Sequence, residues 1–225
     1  EVEFEIVEDP DFDPSRGTIS RAIVTCPVCG STIPANDTRR LFQEGKAGER
    51  LITVALTHPQ RRGKTYRLAT ERDLEAYMEA QQYLEKKRDE LMDQWGIDPV
   101  PDEPLDPNSV KPRALVNYGM KTWGDLFNAR QKLALITFTE KIRQAHQEML
   151  KEGYEEDYSK AVVSYLGLGL DRIADRNGSL SIWNNIAEKQ EHTFGRQALP
   201  MVWDYAETNV IKGVQGWKKQ FSYTL

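Results

Sequence analysis

Two cysteines, Cys26 and Cys29, are the only cysteines in the 225-residue sequence, and two residues separate them. This spacing lets two thiolates bind one ion, and Gly30 permits the tight turn that such a knuckle needs. Structural zinc takes four ligands, yet the sequence has no second Cys-x-x-Cys pair. We therefore predict that Cys26 and Cys29 form half of a zinc site. His58 is a candidate third ligand, and the alternative is a pair of structural cysteines without metal.

Positive charge marks a second candidate site. Residues 14–70 carry ten Lys and Arg against three acids, a balance of +7, although the whole chain has a net charge of -5. A basic stretch in an acidic protein favours contact with an anion such as nucleic acid. Within it, the segment THPQRRGK is typical of a hairpin loop and would place Arg61, Arg62 and Lys64 at the tip, where they could follow a phosphate track. The alternative is a solvated surface.

Two stretches combine glycines with aromatic residues, at residues 117–127 and 192–207. They include Lys121 and Arg196, so together they could form a stacking surface for a nucleic-acid base. The other interpretation is a close-packed corner between helices. From the chemistry of the side chains alone we favour the packed corner.

Other residues that could do chemistry have simpler interpretations. Gly167 and Gly169 resemble part of a phosphate-binding loop, but they lie inside an amphipathic helical pattern, where small residues let helices approach. Asp171 and Asp175 lie one helical turn apart, which favours an ion-paired or solvated helix face over a carboxylate pair. The sequence has no Walker loop and no nucleophile elbow. We expect this chain by itself to be catalytically inactive.

The elements that must position these residues change along the chain. Short alternating or apolar runs predict strands at residues 2–7, 17–26, 51–56 and 64–69, so residues 1–70 form a small basic β-rich module. Thr70, followed by acids, predicts the start of a charged helix over residues 71–95 that ends near Gly96. Five prolines within residues 96–112 exclude a helix there and indicate a linker.

Residues 121–209 have a helical pattern. One apolar stripe runs from Leu135 to Met149 and another from Val162 to Ile173, which predicts two antiparallel core helices. The predicted fold class is therefore α+β: a small zinc-ribbon-like β module (residues 1–70), a connecting helix (71–95), a proline-rich linker (96–112) and a mainly helical bundle domain (113–225).

The composition excludes several classes of protein. With 39% hydrophobic and 29% charged residues the chain is too apolar to be a disordered tail. No apolar run approaches the roughly 18 residues that span a bilayer, and the acidic N-terminal residues do not resemble a signal peptide. We expect a cytoplasmic protein with no membrane partner. Because the chain begins at Glu1 with strand-like alternation already present, we expect it to be a piece of a longer protein.

Four motifs carry a resemblance to a known family: CPVCGSTIP (26–34), RALVNYGMKTWGDLFNARQKLAL (113–135), DRIADRNGSLSIWN (171–184) and TFGRQALPMVWDYAETN (193–209). Together with YRLATERD (66–73) they resemble adenine-specific DNA methylases that contain a zinc ribbon, large bacterial and archaeal proteins often found with phage-defence genes. The likeness covers nearly the whole chain.

The resemblance implies a role in a larger enzyme. In that family the S-adenosylmethionine loop and the first zinc knuckle lie upstream of such a region, and the Asp-Pro-Pro-Tyr motif that binds adenine lies downstream. Neither the S-adenosylmethionine loop nor the Asp-Pro-Pro-Tyr motif is present here. The resemblance also implies that the second pair of zinc ligands lies outside this chain. We expect an inserted region of an adenine-specific DNA methyltransferase that positions DNA or recognises its target. The alternative is a structural module that binds protein partners, among them defence-system proteins, or braces the catalytic domain without contacting DNA.

Overall fold

A computed structural model describes residues 2–13, 17–109, 112–213 and 215–223. Helices and small antiparallel sheets both occur in these ranges, which confirms the predicted α+β class. The helices are α1 (Ala35–Gln43), α2 (Glu71–Trp95), α3 (Arg113–Val116), α4 (Ala129–Lys151), α5 (Glu156–Arg176) and α6 (Trp217–Phe221), with a 3₁₀ turn at Trp123–Leu126. The strands are β1 (Ile19–Ser20), β2 (Ile23–Thr25), β3 (Thr32–Ile33), β4 (Thr53–Thr57), β5 (Lys64–Leu68), β6 (Trp183–Asn184) and β7 (Lys189–Gln190).

The first sheet holds three short antiparallel strands in the order β1, β2, β3. The chain reverses between β1 and β2 at Arg21 and Ala22, whose φ angles are 49° and 68°. Two-residue hairpins need positive φ at their central residues, because this twist matches that of the strands. The single run predicted over residues 17–26 is therefore two strands joined by a tight turn.

The strand predicted at residues 2–7 is wrong, since the structure assigns no strand there. This segment is held by Arg50, which donates a hydrogen bond to the Val2 carbonyl at 3.3 Å and places its guanidinium 4.9 Å from the centre of the Phe4 ring. Alternating apolar residues define a strand only where a second strand supplies the ladder of hydrogen bonds. A cation–π contact and one side-chain bond take its place here.

The predicted hairpin around residues 57–64 is confirmed. Strands β4 and β5 pair antiparallel over five residue pairs, from Thr53 opposite Leu68 to Thr57 opposite Lys64. The loop between them, residues 58–63, forms the tip. The cation-rich residues therefore sit where the chain turns, at the end of a two-stranded sheet.

The predicted connecting helix is confirmed as α2. The Thr70 hydroxyl and the Asp73 carboxylate close a capping box at its start, and Gly96 ends it in the left-handed conformation at φ 71°. The buried residues of this helix are Leu84 and Leu91. Deep packing is therefore confined to its second half. Both leucines contact Ile136 of α4 in one hydrophobic cluster.

The proline-rich segment has no helix among its described residues, as predicted, and it packs against the domain that follows. Leu105 is buried and its N–H donates to the Lys121 carbonyl at 2.8 Å. The Gly124 N–H donates to the Pro101 carbonyl at 2.9 Å. Residues 110 and 111 of the predicted linker lie outside the described residues. The division of the chain into domains at this segment stays a prediction.

Helices α4 and α5 pack against each other, and the two predicted core helices are thereby confirmed. The helical prediction for the later part of residues 121–209 is wrong. Beyond α5 the described chain forms the β6–β7 hairpin and irregular segments up to residue 209. The segment is rich in apolar residues, as a core helix would be. These residues reach the core from turns and extended backbone instead. Within the described ranges, no helix combines the length and hydrophobicity needed to cross a membrane.

Candidate zinc knuckle and nucleic-acid interface

Cys26 and Cys29 lie in the turn between β2 and β3, with both thiols free. The Cys26 N–H donates to the Ser31 carbonyl at 2.8 Å, and the Gly30 N–H donates back to the Cys26 carbonyl at 2.9 Å. Gly30 has a φ of 72°, a backbone conformation that residues other than glycine rarely adopt. The turn is thus fixed by backbone bonds, with Cys26 half-buried and Cys29 exposed.

The knuckle favours the charged form of the Cys29 thiol. Its Sγ lies 3.2 Å from the Ser31 hydroxyl, which lowers the pKa of Cys29, and the Ser31 N–H and the neighbouring Cys26 lower it further. The thiolate is the form that binds metal, so a lowered pKa reduces the cost of releasing the proton on binding. The local chemistry of Cys29 fits a zinc ligand.

The described residues do not complete a metal site. Among them, no group of three or more His, Cys, Asp or Glu is placed to hold an ion. His58, the candidate third ligand, lies in the loop between β4 and β5, where its Nε2 is 2.7 Å from the Thr65 hydroxyl. It is not grouped with the cysteines. The two thiols could supply two of the four ligands of a tetrahedral site, and the zinc itself stays a prediction.

The predicted phosphate-contacting residues divide into two kinds. Arg61 and Arg62 are exposed at the tip of the β4–β5 hairpin, and neither makes an ion pair or hydrogen bond with another described residue. Lys64 differs, since its ammonium bonds the Glu188 carbonyl oxygen and lies 4.5 Å from the centre of the Trp183 ring. Burial lowers the pKa of Lys64 and the Glu188 charge opposes this. Among the described residues, Arg61 and Arg62 are therefore the cations of the tip that have no ionic partner.

Lys64 belongs instead to a junction between two hairpins. The Glu188 carboxylate accepts the Lys64 N–H at 3.1 Å and the Tyr66 hydroxyl at 3.0 Å. The Tyr66 ring meets the Trp183 ring edge-on with centres 6.5 Å apart, and burial raises the pKa of Tyr66. Residues of β5 thus hold the β6–β7 hairpin beside the β4–β5 hairpin. The Arg61–Arg62 tip projects from this junction.

The two glycine–aromatic stretches meet in one hydrophobic cluster, which confirms the packed-corner interpretation. Its buried members are Leu105, Leu115, Leu126, Leu180 and Leu199. Partly buried residues of the two stretches surround them: Met120, Trp123, Phe127, Phe194 and Val202. These apolar side chains serve as core, so they do not form an open platform for a base.

The two cations of these stretches, Lys121 and Arg196, are exposed. The Lys121 backbone is fixed by its N–H bond to the Asp125 carboxylate at 2.7 Å, and Arg196 lies on a bend. Neither side chain forms an ion pair with a described residue. Their role in DNA binding stays a prediction.

The packed corner also holds helix α1 of the β-rich module. Phe42 of α1 meets Tyr118 and Trp203 edge-on, with each pair of ring centres 5.7 Å apart. Gly119 is required at this contact, because its φ is 79° and a Cβ there would lie 2.8 Å from the Phe42 carbonyl oxygen. The two motif stretches thus fasten helix α1, which follows the Cys26–Cys29 turn, to the helical part of the chain.

A polar network beside this corner had no signal in the sequence. Glu49 accepts hydrogen bonds from the hydroxyls of Tyr77 and Tyr205. Asn128 donates to the Tyr205 hydroxyl at 2.8 Å and to the Glu207 carboxylate at 2.7 Å, and burial is the main cause that raises the pKa of both tyrosines. These bonds join four segments of the chain, and we assign them a structural role.

The remaining motifs have structural roles as well. A Cβ on Gly169 would lie 3.1 Å from the Phe221 ring of α6, so this glycine lets the two helices approach, whereas the space around Gly167 is open. Asp175 binds the His192 ring and accepts the Phe194 N–H at 2.9 Å. It therefore anchors the second glycine–aromatic stretch to the end of α5 and does not form a carboxylate pair with Asp171.

Comparison of the chain with protein-family models, with curated protein sequences and with solved structures finds no significant match to any of them.

Proposed function

We propose that this chain is an accessory region of an adenine-specific, S-adenosylmethionine-dependent DNA methyltransferase, and that it positions DNA. The observation that carries the proposal is the hairpin tip with Arg61 and Arg62, which are exposed and have no anionic partner among the described residues. Guanidinium groups bind phosphates through charge-assisted, bidentate bonds. The methylase identity rests on the sequence motifs, and the phosphate contact rests on this geometry.

The anchoring of the tip supports a binding role. The hairpin is held by the bonds between Glu188 and the residues Lys64 and Tyr66. A fixed backbone loses less conformational entropy when a partner binds. The Glu188 carboxylate lies beside Gly63 of the tip, and its charge interacts with that of the Lys64 ammonium. The tip therefore presents two positive charges that have no partner within the described part of the chain, on a supported loop.

The same proposal assigns roles to the cofactors. Cys26 and Cys29 contribute two thiolates to a structural zinc site whose other ligands come from outside the described residues. The ion would stiffen the turn between β2 and β3 when bound. S-adenosylmethionine binding and methyl transfer belong to other parts of the cytoplasmic methyltransferase, and this chain by itself is inactive.

The binding of a short duplex to the protein, measured by electrophoretic mobility over a range of salt concentrations, tests the proposal. Contacts to phosphates release counterions, so the affinity should fall linearly on a plot of log affinity against log salt. Absence of binding at low salt would contradict the proposal. Calorimetry with S-adenosylmethionine alone is expected to show no binding.

A second candidate function, a protein-interaction module without DNA contact, is favoured by a stripe on α5. Tyr158, Tyr165 and Leu168 are each about half exposed and recur with helical spacing, and Ala161 lies exposed between them. Tyrosine-rich apolar surfaces are common at protein interfaces. The accessible surface of 15645 Å² also exceeds the roughly 10,000 Å² typical of a compact monomer of this mass. This function predicts no duplex binding in the mobility experiment.

A further inference from the structure

The loop of the β6–β7 hairpin carries the most exposed large apolar side chain described in the protein. Ile186 is 98% exposed. Single exposed apolar side chains are common on protein surfaces, so the exposure of Ile186 gains meaning only from what lies beside it. The side chain does not pack against the hairpin and is available to a partner.

The backbone beneath Ile186 is fixed. The Asn184 side-chain oxygen accepts the N–H groups of Ile186 at 3.0 Å and of Ala187 at 2.8 Å. Glu188 follows at φ 45°, and its carboxylate and carbonyl oxygens both bind Lys64. Ile186 is thus held on a short turn that is closed at one side by Asn184 and at the other by the hairpin junction.

The junction places this turn beside the cationic tip. Arg62 precedes Lys64 by two residues and Ile186 precedes Glu188 by two residues, so each lies two residues from the Lys64–Glu188 contact. The approach is close, because a Cβ on Gly63 would lie 3.4 Å from the Glu188 carboxylate. One apolar side chain and two free guanidinium groups are therefore presented by neighbouring hairpin turns.

We propose that Ile186 is a wedge that inserts between base steps of duplex DNA while Arg61 and Arg62 hold the adjacent phosphates. Proteins that distort DNA use apolar wedges of this kind, which partly unstack a base step and occupy the space that opens. An enzyme that acts on a base must take it out of the stack, so a wedge beside phosphate contacts would assist that step. This inference rests on the proposed DNA-positioning function.

The test uses the full chain and duplexes in which 2-aminopurine occupies successive positions, since its fluorescence rises when stacking is lost. The wild-type protein should raise the fluorescence at one or a few positions. Ile186→Ala should lose this rise yet keep the salt slope of binding, and Ile186→Leu should restore it. Ile211→Ala, at a residue that is 71% exposed, serves as the matched control and should behave as wild type.

The outcomes separate the wedge from the DNA-positioning function. Salt-dependent binding with no change in fluorescence, or an unchanged rise in Ile186→Ala, would overturn the wedge and leave DNA positioning intact. Absence of duplex binding by the wild-type protein would overturn both, and Ile186 would then belong to a protein contact. Loss of the rise in Ile186→Ala with an unaltered thermal unfolding curve supports the wedge.

Discussion

At the scale of single residues, the chemistry of the knuckle depends on the hydrogen bonds around the Cys29 thiol. Ser31 contacts Cys29 with its hydroxyl and its N–H, and both contacts lower the pKa of the thiol. Because Cys29 is exposed, reagents in solution can report its charge directly. The knuckle can therefore be probed before any metal is added.

We predict that Ser31→Ala shifts the pH profile of Cys29 alkylation to higher pH. A thiol with a lowered pKa is more ionised near neutral pH and reacts faster, and the substitution removes the largest cause of the lowering. Iodoacetamide labelling followed by mass spectrometry measures both cysteines in one sample. Thr32→Ala, at the next position, is the matched control. Identical Cys29 profiles in wild type and Ser31→Ala would contradict the hydrogen bond.

Residue types and spacing alone predicted a turn at Cys26 and Cys29 and a hairpin tip with Arg61 and Arg62, but not the contact of Lys64 with Glu188. In the sequence Lys64 looks equivalent to Arg61 and Arg62, because all three follow one another around a hairpin turn. Its partner Glu188 lies 124 residues away in the chain. A contact at that separation leaves no pattern in a local sequence window, so only the structure distinguishes the anchoring cation from the free ones.

At the scale of elements, the ends of the helices follow from local chemistry. Asn128 caps α4 by accepting the Gln131 N–H at 2.9 Å, while the Gln131 side chain accepts the Asn128 N–H. Thr70 and Asp73 form the equivalent box at α2. The two caps differ in burial, since Asn128 is buried and also donates to Tyr205 and Glu207.

We predict that Asn128→Ala lowers the free energy of unfolding more than Thr70→Ala does. Loss of an exposed cap costs about 0.5–2 kcal/mol. Loss of the buried cap adds roughly 1–3 kcal/mol, because the polar groups that Asn128 satisfies are left without partners. Urea unfolding followed by circular dichroism measures both variants. Equal losses would contradict the structural role of the Asn128 network.

The two glycines of α5 provide a second prediction. Gly167→Ala should stabilise the protein by up to about 1 kcal/mol, because alanine favours the helix and the space around this position is open. Gly169→Ala should gain less or destabilise, since the new methyl group would crowd the Phe221 ring at 3.1 Å. Thermal unfolding of the two variants side by side gives the comparison. A larger gain from Gly169→Ala would contradict the packing of α6 on α5.

Secondary-structure prediction succeeded where an apolar periodicity extended over many residues. It failed where contacts with distant segments determine the local structure. Helices α2, α4 and α5 extend over more than twenty residues each, so their apolar periodicity was clear. The segment at residues 2–7 has the alternation of a strand, but the described residues supply no partner strand for it. Residues 177–209 are rich in apolar side chains, yet their core is formed by turns, which periodicity does not describe.

At the scale of the whole molecule, the Glu49 network joins the β-rich module to the helices. Glu49 comes from the loop before β4, Tyr77 from α2 and Tyr205 from the second glycine–aromatic stretch. Tyr205 and Glu49 are 156 residues apart in the chain, so no motif could have predicted their contact. The sequence predicted that the two glycine–aromatic stretches form a packed corner. It did not predict which residues they pack against.

We predict that Tyr205→Phe makes the stability of the protein less dependent on alkaline pH. Burial and then Glu49 raise the pKa of Tyr205 above its ordinary value of 10.0. The stability linked to this group is present below about pH 10 and is lost as pH rises towards the folded-state pKa. Urea midpoints between pH 8 and 11 should fall less steeply for Tyr205→Phe. Tyr83→Phe, at an exposed tyrosine, should follow wild type, and a wild-type slope in Tyr205→Phe would contradict the network.

The measurement that tests DNA positioning most directly is the salt slope of duplex binding for Arg61→Ala/Arg62→Ala. If both guanidinium groups contact phosphates, the double variant should bind all sequences more weakly, and the slope of log affinity against log salt should fall by roughly one to two. Lys151→Ala/Lys218→Ala, at two exposed cations in the helical part of the chain, is the matched control and should retain the wild-type slope. An unaltered slope in the arginine variant would contradict the account and favour the protein-interaction function.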